Sequence, residues 1–238
     1  MLFISDLHLS EERPQITAAF LAFLSEKTGQ HDQLYILGDF FDAWIGDDDD
    51  RLLAQDIARA LDAAADRGVK IFFQHGNRDF LLGDNFASRC GMELLPDFFV
   101  LTVNSQRWLL AHGDQFCTED SAYQQFRATV RDASWQREFL HKPIAERRDI
   151  AGQLRAKSKE ANSMKAEDIM DVVPQEIENA LLLHGCDILI HGHTHRPARH
   201  AVSLPDGRRA ERVVLGEWKD GFWYAMADNG VLKLVHQA

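Results

Sequence analysis

Residues 2–10 read Leu-Phe-Ile-Ser-Asp-Leu-His-Leu-Ser, so a short apolar strand runs directly into a carboxylate, Asp6, and an imidazole, His8. The same rhythm of strand, polar turn and amphipathic helix recurs along the first half of the chain. Strands are predicted at 34–37 and 69–73, and helices at 16–24 and 52–65. This alternation is typical of a layered α/β fold.

The second half of the chain adds strands predicted at 98–103, 108–111, 188–190, 213–215, 222–227 and 231–235. The first two of these pair as a hairpin, and so do the last two. Asn104-Ser105 and Asp228-Asn229-Gly230 are hairpin turns, because Asn and Gly tolerate positive φ. We therefore expect an α/β fold in which two mixed β-sheets pack as a sandwich with outer helices. No strand or linker interrupts residues 119–183, so we expect one catalytic domain over 1–238 with an embedded helical lid there.

Composition narrows the class of protein. The chain has 238 residues, 45% of them hydrophobic and 26% charged, with a formal net charge of −11. This acidity argues against general nucleic-acid binding. No apolar run approaches the ~18 residues of a membrane span. The three cysteines form no CxxC pair, which is typical of reduced thiols in a cytosolic protein. The N-terminus does not have the pattern of a secretory signal, so we expect a protein that is cytoplasmic or lies on the membrane surface.

Five polar clusters punctuate the predicted strands. They are Asp6-Leu7-His8, Gly38-Asp39-Phe40-Phe41-Asp42, Gly76-Asn77-Arg78-Asp79, His112-Gly113-Asp114 and Gly192-His193-Thr194-His195. Each alone is compatible with a turn or a helix cap. Loops at the carboxyl ends of strands meet in one crevice, however, and together the clusters supply two carboxylates, one amide and four imidazoles. Oxygen and imidazole ligands without thiolate suit Mn²⁺, Fe or Zn²⁺.

The order and composition of these motifs resemble the calcineurin-like metallophosphoesterases, whose motifs read D-x-H, G-D-x-x-D, G-N-H-[DE], H and G-H-x-H. The resemblance implies two divalent ions, for which we expect Mn²⁺. It assigns Asp6, His8, Asp39 and His195 to one ion. The second ion would be held by Asp39, as a bridge, together with Asn77, His112 and His193. Asp42 and Asp79 would orient ligands or, on the plainer interpretation, cap helices.

One position departs from the family pattern. Arg78 stands where many members have a histidine that protonates the leaving group. Arginine stays protonated at pH 7 and cannot act as an acid, but it forms fork-like contacts to phosphate. A phosphate leaving group needs no proton. Arg78 therefore favours cleavage of a pyrophosphate.

The predicted lid carries a second indication. Between Arg127 and Lys165 there are ten Lys or Arg and five Asp or Glu, a local charge of +5. Ser158, Asn162 and Lys165 share one helical face. Taken alone, this pattern indicates a solvent-exposed helix face. Beside a two-metal site, it suits a surface that binds phosphate or sugar oxygens.

These features resemble the family members that cleave the pyrophosphate of a UDP-glucosamine carrying two acyl chains, a step of lipid A biosynthesis. The resemblance implies attack by a metal-activated water on the α-phosphorus. It implies catalytic roles for Asp39, Asn77, Arg78 and His112. It implies substrate contacts by Asn77, Arg78, Asp120, Ser158, Asn162, Lys165 and His193. The substrate would be an amphiphilic UDP-sugar lipid, reached at the cytoplasmic face of the inner membrane by a peripheral protein.

Alternatives remain at this level. A soluble two-metal phosphoesterase acting on nucleotides or phosphodiesters would need no lipid-accommodating lid. A non-catalytic scaffold of the same fold predicts missing ligands, whereas all seven positions are filled. An acyl groove has candidate side chains in Phe80, Leu82, Phe126, Trp135, Phe139, Ile169 and Met170, each of which is more often a core residue.

Overall fold

The computed structural model describes residues 1–164, 171–219 and 221–237, and of residues 159–164 it describes the backbone. The strands, in chain order, are β1 (Leu2–Ile4), β2 (Gln33–Leu37), β3 (Lys70–Gln74), β4 (Met92–Leu95), β5 (Phe99–Val103), β6 (Gln106–Leu110), β7 (Ile188–His191), β8 (Ala198–Ser203), β9 (Arg209–Val214), β10 (Phe222–Asp228) and β11 (Val231–Gln237). The helices are α1 (Pro14–Lys27), α2 (Leu52–Asp66), α3 (Asp84–Arg89), α4 (Ser121–Val130), α5 (Ala133–Leu140), α6 (Ile144–Met164) and α7 (Pro174–His184).

Two mixed sheets form the centre of the fold. The first has the order β11-β10-β1-β2-β3-β4, and the second has the order β5-β6-β7-β9-β8. Strands β1 to β4 run parallel, as do β6, β7 and β9, while the outer pairs are antiparallel. The predicted α/β sandwich of two mixed sheets is confirmed.

Alternation along β1 shows how the layers are built. The Phe3 side chain faces the core between the sheets, where it stacks on Tyr35 at 5.1 Å and lies near Trp108. Leu2 and Ile4 face the opposite side, where α1, α2 and α3 cover the first sheet. On the far side, α7 covers the second sheet through Ile177 and Leu181. The result is four layers, helix–sheet–sheet–helix.

The predicted hairpins form, and the structure contains three elements that the sequence did not predict. Asn104 and Ser105 both adopt positive φ between β5 and β6, as do Asn229 and Gly230 between β10 and β11. Strands β4 and β8 and helix α3 are additional to the predicted elements. Helix α3 has six residues and β4 has four, too few for periodicity to indicate them. Strand β8 is an exposed edge strand without apolar alternation.

Between β6 and β7 the described residues form helices and no strand. Helices α5 and α6 pack against the helical side of the first sheet through Trp135, Phe139, Ile144 and Ile150. By contrast, α7 belongs to the outer layer of the second sheet. No helix among the described residues is long and apolar enough to cross a membrane.

Candidate metal centre

Each predicted metal ligand follows the carboxyl end of a strand. Asp6 and His8 follow β1, Asp39 follows β2 and Asn77 follows β3; His112 follows β6, and His193 and His195 follow β7. Because β1 to β3 are parallel to one another, and β6 is parallel to β7, these loops emerge at the same end of the sandwich. The structure brings all seven side chains into one connected cluster.

One group of ligand atoms is formed by Asp6, His8 and His195. The Nε2 atom of His195 lies 3.3 Å from an Asp6 carboxylate oxygen and 3.3 Å from the His8 Nε2 atom. Asp6 is held in place by Ser5, whose hydroxyl donates to it at 2.6 Å, and by the backbone N–H of His193 at 2.9 Å. Two imidazole nitrogens and a carboxylate oxygen thus converge within the reach of one ion.

The second group is formed by Asp39, Asn77, His112 and His193. The Asn77 side-chain oxygen lies 3.1 Å from His112 Nε2 and 2.9 Å from His193 Nδ1. The Nδ1 atom of His112 donates to the carbonyl of Leu37 at 2.8 Å, so its Nε2 atom is the one available to a ligand.

Asp39 is the residue common to both groups. One carboxylate oxygen lies 3.9 Å from His8 Nδ1, and the other lies 3.6 Å from His112 Nε2. The side chain is almost fully buried. This is the position expected of a carboxylate that bridges two ions.

Backbone conformation singles out the same residues. Five of the seven have positive φ although none is glycine: Asp6, His8, Asp39, His193 and His195. Such conformations are costly for residues with a β-carbon and persist where surrounding structure enforces them, often at functional sites. The other three non-glycine residues with positive φ in the described chain lie in hairpin turns.

The loop carrying Asp39 is fixed by the buried carboxylate of Asp79. Its two oxygens accept the backbone N–H groups of Gly76 at 2.8 Å, Phe40 at 2.7 Å, and Asp39 and Phe41 at 3.3 Å each. A β-carbon on Gly76 would approach the Asp39 carboxylate to 2.2 Å, so only glycine fits there. Asp79 therefore positions Asp39 and does not cap a helix.

The electrostatics of the cluster favour positive charge. Burial, together with the neighbouring Asp79 and Asp6 carboxylates, raises the pKa of Asp39 to about 7 despite nearby His112. Burial lowers the pKa of His112, but Asp39 and Asp6 outweigh it and the net shift is upward. The carboxylates therefore draw a positive charge into a largely buried site, and a divalent ion meets that requirement.

The imidazoles also fit the role of ligands. Burial lowers the pKa of His8 to about 3 and that of His193 to about 4, so both rings are neutral and carry a lone pair at pH 7. The buried Nδ1 atom of His8 has no hydrogen-bond partner among the described residues. Burial disfavours charge on His195 too, but the Asp6 and Glu217 carboxylates raise the pKa of that ring to about 10, so it would lose a proton when an ion binds. Convergent imidazoles beside carboxylates match the donor set of a dinuclear divalent-metal site.

The predicted substrate contacts are placed unevenly. Arg78 is half-buried beside the cluster, and its backbone N–H donates to Asp39 at 2.8 Å. Ser158 lies on α6 and faces the cavity described below. Asp120 is buried and caps α4 by accepting the Tyr123 N–H at 3.1 Å. The side chain of Asn162, and Lys165 altogether, lie outside the described residues.

The interpretation of Asp42 as a ligand-orienting or capping residue is wrong. Its carboxylate instead forms an ion pair of 2.5 Å with Arg155 on α6. The acidic run 47–50 has a related role, because Asp48 pairs bidentately with the buried Arg147 guanidinium. These carboxylates fasten the long helix of the insertion to the first sheet's helical side.

A cavity of about 290 Å³ opens beside the cluster, between the loops and helices α4 to α6. Asn77 and Arg78 line its end at the ligand cluster, and Asp42, Arg155 and Ser158 contribute polar groups. Most of the remaining wall is apolar: Trp44, Phe80, Leu81, Tyr123, Phe126, Trp135, Phe139 and Leu154. Of the predicted groove candidates, Leu82 is buried in the core instead, and Ile169 and Met170 lie outside the described residues.

Several residues near the site carry no sequence signal. Tyr123 lies beside the His193 ring and donates its hydroxyl to the buried Asp114 at 2.6 Å. Glu217 contacts His195 from the far end of the chain. A lone Tyr in a helix and a Glu in a loop match no motif, and only the three-dimensional arrangement reveals them.

Comparison with known proteins gives the class. The family model of the calcineurin-like phosphoesterases matches residues 1–197, and the chain belongs to this family. Among its relatives is a UDP-2,3-diacylglucosamine hydrolase of Cellvibrio japonicus, 53% identical over 222 residues that cover 93% of this chain and 92% of that protein. A UDP-2,3-diacylglucosamine hydrolase of Tolumonas auensis is 46% identical, covering 99% and 96%.

A solved structure shares the fold. An archaeal phosphodiesterase covers the whole of both chains with a TM-score of 0.50 at 13% sequence identity. The expected membership of the metallophosphoesterases is confirmed, and the chain is a hydrolase of a family that uses divalent metal ions.

Proposed function

We propose that the chain hydrolyses the pyrophosphate bond of UDP-2,3-diacylglucosamine, giving UMP and 2,3-diacylglucosamine 1-phosphate in lipid A biosynthesis. The observation that carries this proposal is a two-metal ligand cluster joined, through Arg78, to an apolar cavity beneath a helical insertion. The activity named for relatives at 46–53% identity over nearly the whole chain supports it.

Two ions would share the seven ligands. Asp6, His8, Asp39 and His195 would hold one, and Asp39, Asn77, His112 and His193 the other. Bound there, divalent ions supply Lewis acidity that lowers the pKa of a water molecule and offsets charge developing on a phosphoryl group. Oxygen and imidazole ligands without thiolate suit Mn²⁺, Fe or Zn²⁺, and of these we propose Mn²⁺.

Arg78 and Asn77 would orient the pyrophosphate. Arg78 adjoins Asp39 through its own backbone N–H, so its side chain starts from a fixed point at the mouth of the cavity. Its guanidinium offers paired donors to phosphate oxygens and keeps its charge throughout the reaction. Attack on the α-phosphorus then releases a sugar phosphate, which departs without needing a proton from a general acid.

The lid, formed by α4 to α6 within a single catalytic domain, would receive the acylated sugar. Phe126, Trp135 and Phe139 come from the insertion and Phe80 from the loop after β3, so the apolar wall exists only where the two parts meet. Ser158, with Asp120, Asn162, Lys165 and His193, would contact the polar sugar and phosphate. Burial of alkyl groups at roughly 0.8 kcal/mol for each methylene would favour acylated substrates.

Peripheral attachment to the cytoplasmic face of the inner membrane would bring the site to its amphiphilic substrate. Phe126 and Leu140 on the insertion are exposed apolar side chains. Much of the insertion's positive charge is already paired within the chain, through Arg127, Arg131, Lys142, Arg147, Arg148 and Arg155. Contact with lipid would therefore depend on apolar side chains more than on the roughly 1 kcal/mol available to each unpaired cation.

The test compares substrates under one condition. UMP release is measured in Mn²⁺-containing buffer from UDP-2,3-diacylglucosamine and from UDP-N-acetylglucosamine. We expect turnover of the acylated substrate at a kcat/KM at least a hundredfold higher. Equal turnover of both would instead indicate a soluble phosphoesterase that uses the same metal cluster.

A further inference from the structure

We propose that Glu217 is a positioning residue for the metal ligand His195. It lies outside the five motifs and beyond the residues that the family model matches. The inference rests on the proposed two-metal site and is independent of which phosphate ester is cleaved.

His195 is the ligand that most needs such support. Its side chain is 36% exposed, whereas those of His8 and His112 are buried. Packing therefore does not fix the orientation of its ring, and its backbone already has the unfavourable φ of 55°. A half-exposed imidazole can rotate unless a second contact holds it.

Glu217 supplies that contact on the correct side of the ring. One carboxylate oxygen, Oε2, lies 3.4 Å from His195 Nδ1, and the opposite ring atom, Nε2, faces Asp6 and His8. Carboxylates flank both ring nitrogens, and an ionised carboxylate only accepts hydrogen bonds. Once an ion takes the place of the proton between Nε2 and Asp6, the proton that stays on the ring would reside on Nδ1 and be donated to Glu217. The lone pair on Nε2 then points toward the ion, which is the tautomer a ligand requires.

The carboxylate is itself held from two directions. Its other oxygen, Oε1, accepts from Arg13 Nη1 at 3.3 Å, which leaves Oε2 for His195. The next residue, Trp218, is fully buried, and its backbone N–H donates to the carbonyl of Asp6 at 3.2 Å. The preceding Gly216 sits so close to the Trp223 ring that a β-carbon would approach it to 2.5 Å. The loop that carries Glu217 is thus hydrogen-bonded to the loop that carries Asp6, the first metal ligand.

Binding of Mn²⁺ tests this role. The wild-type chain and the variants Glu217→Ala and Glu217→Gln are freed of metal with a chelator and titrated with Mn²⁺, with free Mn²⁺ followed by electron paramagnetic resonance. We expect Glu217→Ala to weaken one of the two binding steps by about 10- to 100-fold, the range typical of losing a carboxylate behind a ligating histidine. Glu217→Gln should weaken the same step less than Glu217→Ala does. Its amide oxygen can still accept the hydrogen bond from His195, although more weakly than a carboxylate.

A matched control separates positioning from general stability. Glu211 is 29% exposed and pairs with Arg199, much as the 28%-exposed Glu217 pairs with Arg13, but it lies on β9 away from the cluster. Glu211→Ala should leave both Mn²⁺ affinities unchanged, and all variants should share the wild-type unfolding temperature without metal.

The inference is overturned if both Glu217 variants bind Mn²⁺ as the wild type does. It is also overturned if both steps weaken together with a lower unfolding temperature of the metal-free protein. Failure of the wild-type chain to bind two Mn²⁺ ions would instead refute the proposed function.

Discussion

Replacing Asp79 by Asn tests the idea that a buried carboxylate organises the Asp39 loop. In the wild type, one oxygen of Asp79 accepts the N–H groups of Gly76 and Asp39, and the other accepts those of Phe40 and Phe41. Asparagine keeps one oxygen but turns an NH₂ group toward the second pair of donors. Two backbone N–H groups in a fully buried place then lack an acceptor.

The cost follows from that count. Each buried donor left without a partner costs about 1–3 kcal/mol, so the substitution should lower the free energy of unfolding by about 2–6 kcal/mol. That is a large part of the 5–15 kcal/mol typical of a whole domain. Both pairs of donors include Asp39 or residues next to it in the chain. Loss of either pair should therefore disturb the Asp39 carboxylate and lower the affinity for divalent metal as well.

Urea unfolding of the metal-free protein, followed by Mn²⁺ titration, measures both effects. Asp47→Asn is the matched control, since Asp47 accepts the N–H groups of Gly83 and Phe86 and the Trp44 indole N–H, away from the ligands. It should lose stability, by less because Asp47 is only half-buried, and keep its metal affinity. A loss below about 1 kcal/mol in Asp79→Asn, with wild-type metal binding, refutes the reasoning.

Three further predictions use other parts of the structure. Arg78→Ala should lower kcat/KM about 10- to 150-fold, the equivalent of losing a charge-assisted hydrogen bond of about 1.5–3 kcal/mol. Its metal content, measured by mass spectrometry, should be unchanged, and loss of metal would contradict the role assigned to Arg78. Phe126→Ala should lower kcat/KM for the diacylated substrate about 5- to 30-fold, the equivalent of about 1–2 kcal/mol of apolar contact. Turnover of UDP-N-acetylglucosamine should be unaffected. Equal losses on both substrates would show that Phe126 does not contact the acyl chains. Burial raises the pKa of the Cys90 thiol to about 12 from an ordinary 9.0. At pH 8 the native protein should therefore have about a thousandfold less thiolate at Cys90 than an exposed cysteine has, and Cys90 should resist alkylation until the protein unfolds. Rapid labelling of Cys90 in the native state would contradict its burial.

The sequence predicts the parts of the fold that bury continuous apolar runs. Strands such as β2 and β7 are short, apolar and bounded by polar turns, and α2 repeats buried residues at helical spacing through Ile57 and Leu61. Strand β8 escapes prediction because an exposed edge strand needs hydrogen bonds from β9 but no apolar pattern of its own. Its formation depends on a neighbour, which a local pattern does not contain.

The residues of the candidate site also fall into those that the sequence predicts and those that it does not. The seven motif residues meet because parallel strands end together, which is a property of topology that a sequence pattern can carry. The pairing of Asp42 with Arg155 was not predictable, since it depends on how the insertion docks. Glu217 is likewise invisible in the sequence, because its role is set by the packing of Trp218 and the approach of His195.

The most direct test of the central claim is hydrolysis of UDP-2,3-diacylglucosamine in ¹⁸O-labelled water with Mn²⁺ present, followed by mass spectrometry of both products. Water attack on the α-phosphorus, with the acylated sugar phosphate as leaving group, predicts ¹⁸O in UMP and none in 2,3-diacylglucosamine 1-phosphate. Label in the sugar phosphate, or no cleavage of this substrate by metal-loaded protein, would contradict the account.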